Sequence, residues 1–285
     1  MSTLGTLGTL GTLGTLGTLW TTLHTPLLRR ALLEVILVGA LAGITGAHVV
    51  LRRQSFFTLA LSHATFPGVV LASMAGISLF LGGLSFGVVF AIAVHLFSRQ
   101  RDLDDTSVTG VLLAGTFAFG VLLQSGRSGG SKDLAAFLVG SVLTVNRGDI
   151  IVTATAGLAV AMMIALLHKE LVLTAFDRQY SAALGYGGWL DLAVLLLATV
   201  TLVVTIPAVG TILSVALVSV PALTARLWTD RVVPAMGLAA LIGAVSGVAG
   251  LVVSTQWRIA AGGAIALAGS AVFVVSWLLT GQWKR

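Results

Sequence analysis

A multi-pass, all-helical membrane bundle is the fold class this chain predicts, and three features carry that reading. Charged residues make up 9% of its 285 residues, against roughly 25% in a soluble domain. Hydrophobic residues reach 57%, and the mean hydropathy is +1.05. The apolar residues run continuously over stretches close to the ~20 residues that a spanning helix needs, instead of alternating as barrel strands do. So few charges cannot cover a soluble surface of this size, and so much apolar side chain excludes disorder. With no cysteine, a disulfide scaffold, an iron–sulfur cluster and thiolate metal ligands are excluded as well. The net charge of +6 is spread in ones and twos between apolar runs, as in loops that flank membrane spans, so nucleic acid is not an expected partner.

Taken in order, residues 1–19 are a low-complexity Thr-Leu-Gly extension with a period of three. On a helix that period turns successive leucines about 60° around the axis, so no apolar face forms. The stretch also lacks the charged start and cleavage site of a signal peptide. A membrane domain at 31–281 follows, with about nine candidate spans near 31–51, 59–81, 84–97, 108–123, 150–167, 189–207, 211–225, 233–253 and 260–280. The third and seventh are short, and merging one of them leaves eight. The segment 134–145 is too short to cross and predicts a short external or re-entrant helix. The connection 169–188 is the longest on its side. Its amphipathic middle, Phe176 to Leu184 with Gly185 behind it, fits a short helix closed by glycine as well as it fits a solvated loop. Placing Arg52 and Arg53 in the cytoplasm puts ten basic residues inside against six outside, which orients the N-terminus out and the C-terminus in.

No phosphate-binding G-x-x-x-x-G-K-[ST] loop and no H-E-x-x-H pair occurs, so neither ATP hydrolysis nor zinc-protease chemistry is expected of this chain, and no catalytic residue is assigned. An ionisable group at membrane depth calls for an account. His63 stands in Ser62-His63-Ala64-Thr65-Phe66-Pro67-Gly68 inside the second span. Pro67 is expected to bend that helix and free a carbonyl, and neutral imidazole is a common ligand for zinc and related metals. A histidine hydrogen-bonded to a neighbouring helix fits the same pattern. Pro207 and Pro221, bracketing Gly210, suggest broken or tightly turned helices, which often mark transport paths. His48 and His95 lie near span ends. Glu34 and Asp191 open their spans, where a carboxylate suits the helix N-terminus. The 34 glycines, Gly39/Gly43 and Gly243/Gly247 among them, permit close helix approach.

Five stretches then stand in a definite order. The first is Val49-Val50-Leu51-Arg52-Arg53-Gln54-Ser55-Phe56 with Ala60-Leu61-Ser62-His63-Ala64 and Pro67-Gly68. The second is Asp105-Thr106, and the third Asp133-Leu134 with Phe137-Leu138-Val139-Gly140-Ser141. The fourth is Phe176-Asp177 with Ala182-Ala183-Leu184-Gly185. The fifth is Val209-Gly210-Thr211-Ile212-Leu213 with Pro221-Ala222-Leu223-Thr224-Ala225-Arg226-Leu227. Together, over 32–277, they resemble the membrane permeases of ATP-binding-cassette importers for zinc, manganese and iron ions.

The resemblance implies a multi-pass protein of the cell membrane, paired with a second permease copy or a paralogue. It implies ATP bound at a separate cytoplasmic subunit, and an extracellular metal-binding protein that delivers a divalent metal as substrate, with no cofactor on this chain. Phe176, Asp177, Arg178, Tyr180, Ala182, Ala183, Leu184 and Gly185 would form the cytoplasmic coupling helix, and His63 would be a metal ligand. Pro67, Gly68, Pro207, Gly210 and Pro221 would serve helix breaks or gating.

One departure is plain. The family carries Gly-Asp at five and four residues before the histidine, where this chain has Thr58-Leu59. An Asp at 59 would lie one turn from His63 on the same face, but Leu59 offers nothing to a cation. One imidazole falls short of the three or four ligands zinc takes. Either this chain is the ligand-poor half of a heterodimer, or two His63 side chains meet across a homodimer axis. The rivals are an ion-gradient-driven secondary transporter, which keeps acidic groups at mid-membrane where none is expected here, and an ATP-driven permease for a metal chelate. An intramembrane hydrolase is disfavoured, because adjacent Ser62 and His63 point about 100° apart on a helix.

Overall fold

The computed structural model describes residues 26–100, 103–125, 140, 142–186 and 188–281. The repeat at 1–19 and most of the expected external helix at 134–145 lie outside them. The described chain is helical almost throughout, in twelve helices: α1 Pro26–Leu51, α2 Ser55–Ala64, α3 Phe66–Ala75, α4 Leu79–Ser98, α5 Asp105–Ser125, α6 Arg147–Leu166, α7 His168–Phe176, α8 Arg178–Ala183, α9 Trp189–Val209, α10 Thr211–Trp228, α11 Val232–Trp257 and α12 Ala261–Gly281. A 3₁₀ turn at Val142–Thr144 precedes α6. Counting α2 and α3 as one crossing, eight of the described segments are long and apolar enough to span, and α10 adds a shorter apolar helix. The third expected span grows from 14 residues to the 20 of α4, because Gly82 and Gly83 do not stop a helix packed against its neighbours.

Polar groups gather at both ends of the bundle. Arg52, Arg53 and Arg99 gather at one end with Asp104, Asp105 and Asp191. Ser78, Thr144 and Asp149 gather at the other. The count of loop basic residues assigns the first of these ends to the cytoplasm.

Lipid tails are as apolar as leucine, so burial of apolar area alone does not hold such helices together. Close packing and interhelical hydrogen bonds must do so. Helix α1 is the hub, packed against α6, α9, α10 and α11. Its approach to α11 is backbone on backbone: a Cβ on Gly39 would fall on the Gly243 carbonyl, and one on Gly43 on the Ala239 carbonyl. Four residues forward on α1 are four residues back on α11, so the two run antiparallel along a stripe of small residues. Thr45 and Thr201 share a hydroxyl hydrogen bond of 2.9 Å between α1 and α9, worth on the order of 0.6 kcal/mol in a bilayer. Gly210, at φ 94°, makes the sharp reversal that separates α9 from α10.

The glycine stripe yields a controlled test. Gly43→Val is expected to destabilise the detergent-solubilised protein by about 1–3 kcal/mol through overpacking. Gly237→Val, on α11 where an added Cβ meets nothing within 4 Å, is expected to leave the melting temperature nearly unchanged. Equal melting curves for the two variants would refute the packing assignment.

Candidate functional site

Two regions hold the residues singled out by sequence. The first is the outer face of α2. Leu59 is 38% exposed, and His63, one turn on, is half-buried. With Phe56 and Phe66 they form one strip along the helix. The His63 ring meets Phe117 of α5 edge-on at 5.9 Å. Neighbouring hydroxyls are occupied by their own helix: Ser62 donates to the Leu59 carbonyl at 2.8 Å and Thr65 to the Ser62 carbonyl at 3.0 Å. Among the described residues no cluster of three or more histidine, aspartate or glutamate side chains is placed to hold a metal ion. One copy of this chain therefore brings a single imidazole to the strip.

The residues expected to break helices divide by position. The span formed by α2 and α3 is interrupted at Thr65, two residues before Pro67. That proline sits at the start of α3, where no amide donor is required. Gly68 serves packing, since a Cβ there would strike the Gly82 carbonyl of α4. Pro207 remains inside α9 and Pro221 inside α10, and the chain reverses between them at Gly210.

The second region is the cytoplasmic arm. Sequence alone left 169–188 undecided between helix and loop, and the structure makes two short helices of it. Helix α7 follows α6 after Leu167, and Asp177 then caps α8, its carboxylate accepting from the Tyr180 amide at 2.8 Å. Thr174 and Ser181 hydroxyls bond at 2.9 Å and fix α8 against α7. The Leu184 amide donates to Tyr180 and the Gly185 amide to Ala182, with Gly185 at φ 82°. This fold leaves Phe176, Tyr180 and Leu184 outermost, at 64%, 55% and 50% exposure. Ala182 and Ala183 fall between them.

Arg52 anchors the arm. Its guanidinium pairs with Asp191 in the first turn of α9, and also donates to the Leu171 carbonyl of α7 at 3.0 Å. Both charged side chains are largely buried. Arg53 adopts φ 59° just beyond α1, which turns the chain sharply into α2. In sequence, Arg52 reads as a loop charge and Asp191 as a helix-end carboxylate. Their pairing spans 139 positions, and no local pattern announces it.

Glu34 corrects an expectation. It does not cap α1. It is the ninth residue of that helix, 2% exposed, and accepts from the Thr153 hydroxyl of α6 at 2.7 Å. An acidic group therefore does lie well inside a span. The disposition of α1 decides this, because the helix begins five residues earlier than the apolar run suggests. His48, expected near an interface, is likewise buried in the last turn of α1, with its ring edge-on to His168 at 6.5 Å.

Removing one member of a buried ion pair strands the other charge, at a cost of about 3–5 kcal/mol. Arg52→Met is therefore expected to lower the melting temperature and to speed protease cleavage within 168–186. The doubly neutral Arg52→Met/Asp191→Leu protein should recover part of the lost stability. If the single variant melts and is cleaved like the parent, the arm is not held by this contact.

Comparison with known proteins accords with this architecture. Residues 24–280 match the model of the ABC 3 transport family. The chain is 36% identical over 266 residues to a manganese transport system membrane protein, MntC, of Halalkalibacterium halodurans, covering 90% of this chain and 91% of that one. It is 35% identical over 276 residues to a zinc transport system membrane protein, TroC, of Treponema pallidum, covering 90% and 93%. In three dimensions it superposes on the solved PsaBC from Streptococcus pneumoniae in complex with Fab, with a TM-score of 0.80 and 30% identity over 92% of this chain and 95% of that one. A multi-pass membrane architecture, a match across nearly the whole chain and relatives above 30% identity converge: the chain belongs to the ABC 3 transport family and is a membrane permease of that family.

Proposed function

We propose that this chain is the membrane-spanning subunit of an ATP-driven importer of a divalent metal ion, working by alternating access. The observation that carries the reading is the cytoplasmic arm. It presents three large, exposed side chains, Phe176, Tyr180 and Leu184, on two short helices anchored to α1 and α9 through Arg52. An apolar knob at the cytoplasmic mouth suits a groove on a partner, and its anchoring lets motion of that partner reach the spans. The chain has no phosphate-binding loop of its own, so ATP is bound and hydrolysed on that partner. The manganese and zinc systems to which the relatives belong support a divalent metal as the transported ion.

His63 is the metal-facing group of this subunit. Its strip lies on an outer face of the bundle and supplies one nitrogen, so a second permease subunit, a copy or a paralogue, completes the ligand set. A metal-binding protein on the opposite face delivers the ion. Aspartate at position 59 would add an oxygen one turn from the imidazole and raise affinity.

Three measurements test the proposal. In vesicles that hold this subunit with its ATPase, Tyr180→Ala combined with Phe176→Ala is expected to cut ATP-dependent metal uptake and ATPase co-purification by at least about tenfold, as loss of interface anchors worth ≥ 2 kcal/mol does. His63→Ala is expected to lower uptake while leaving co-purification intact. Leu59→Asp is expected to lower the metal concentration giving half-maximal uptake. Unchanged uptake in the first variant sinks the coupling role, and unchanged uptake in the second removes His63 from the metal path.

A further inference from the structure

The outer end of the bundle holds a second polar site, unrelated to His63 and to the cytoplasmic arm. A cavity of about 220 Å³ opens between α1, α6 and α9, lined by Glu34, Ser78, Thr144, Asp149 and Thr153 among apolar neighbours. A liquid water takes about 30 Å³, so the space admits an ion with part of its hydration shell. Among the described residues, every polar side chain on the wall offers oxygen, and none is a lysine, arginine or histidine.

Glu34 is the anomaly within it. The side chain is 98% buried by its 2% exposure, about 12 Å along α1 from its first residue. One carboxylate oxygen accepts from Thr153 at 2.7 Å. The other, Oε2, is buried with no hydrogen-bond partner among the described residues. Buried polar atoms are nearly always paired, and an orphan of this kind asks for an explanation. Asp149 lines the same space. One of its oxygens accepts from the Asn146 amide at 2.9 Å in the cap of α6, and the carboxylate brings a second negative charge to a cavity whose described wall holds no positive one.

We propose that this cavity is an oxygen-only binding site for a hard divalent cation of the Mn²⁺, Mg²⁺ and Ca²⁺ class, with the Glu34 Oε2 as its buried ligand and Asp149 as the second charge. Two carboxylates balance two positive charges, and carboxylate and hydroxyl oxygens favour hard cations over thiophilic ones. Water supplies the remaining positions, as is usual for such ions. The ion would join α1 to α6 at the outer face, where those helices already meet through the Glu34–Thr153 bond.

The test uses the purified full chain in detergent, in a His63→Ala background so that the α2 strip contributes nothing. Mn²⁺ is titrated and followed by calorimetry and by the paramagnetic resonance of free Mn²⁺. One saturable site is expected, with Mg²⁺ and Ca²⁺ competing and Cd²⁺ competing less well. Glu34→Gln keeps the shape and the Thr153 bond but removes the charge. It should weaken Mn²⁺ by at least about tenfold, since even the partners of metal ligands are worth 10–100-fold. Should that variant fail to fold, Asp149→Asn, which retains the oxygen accepting from Asn146, is expected to weaken binding by a similar factor. Absence of any Mn²⁺ site in the His63→Ala protein, or unchanged affinity in the charge-neutral variants, overturns the proposal. So does an infrared band of protonated Glu34 that persists at saturating Mn²⁺, because a protonated carboxyl would itself account for the buried oxygen. None of these readouts involves transport, so the site stands or falls apart from the import reading.

Discussion

The guanidinium of Arg52 is the joint between the membrane bundle and its cytoplasmic arm. It stands one residue past α1 and reaches the first turn of α9 through Asp191 and the backbone of α7 through Leu171. Within a largely buried pocket such charges are poorly screened by water or salt, and losing either partner strands the other. The arm is thereby tied to α1 and α9, two of the three most deeply buried spans among the described residues. An arm that swung freely would dissipate any push it received. In the proposed coupling role, one bound to α1 and α9 would pass the push to the core.

The rest of the bundle reflects a solvent in which apolar burial has no special value. Helix α1 meets α11 along Gly39, Gly43, Gly243 and Ala239, where backbone touches backbone. It meets α9 through a pair of threonine hydroxyls. These contacts succeed because lipid can neither interdigitate so closely nor hydrogen-bond. By contrast α5 and α6 turn most of their surface outward, and so does the strip of α2 that carries His63. An imidazole on an outward strip is an incomplete site within one subunit, which is why the paired permease enters the functional reading.

Helix α1 also links two unlike polar centres. At its inner end the acidic Asp191 is matched by Arg52. Nearer its outer end the acidic Glu34 has only a hydroxyl on one oxygen. The helix that bonds Glu34, α6, runs on directly into the arm.

Much of this was legible in the residues alone. Composition and the length of the apolar runs required a helical membrane bundle, because unpaired backbone polar groups are too costly in lipid for anything but helices or closed barrels. Loop arginines gave its orientation, and the order of five short stretches gave its kinship. The small-residue spacing on α1 and α11 showed that close helix approach was available. What the chain could not disclose in one dimension was partnership: that Arg52 pairs with Asp191, that Gly39 faces Gly243, and that Glu34 is sunk against Thr153 instead of capping its helix. Those outcomes depend on how far each helix extends past its apolar run and on the rotation at which it packs. Rotation is settled by contacts between residues more than a hundred positions apart, and only the assembled bundle decides them.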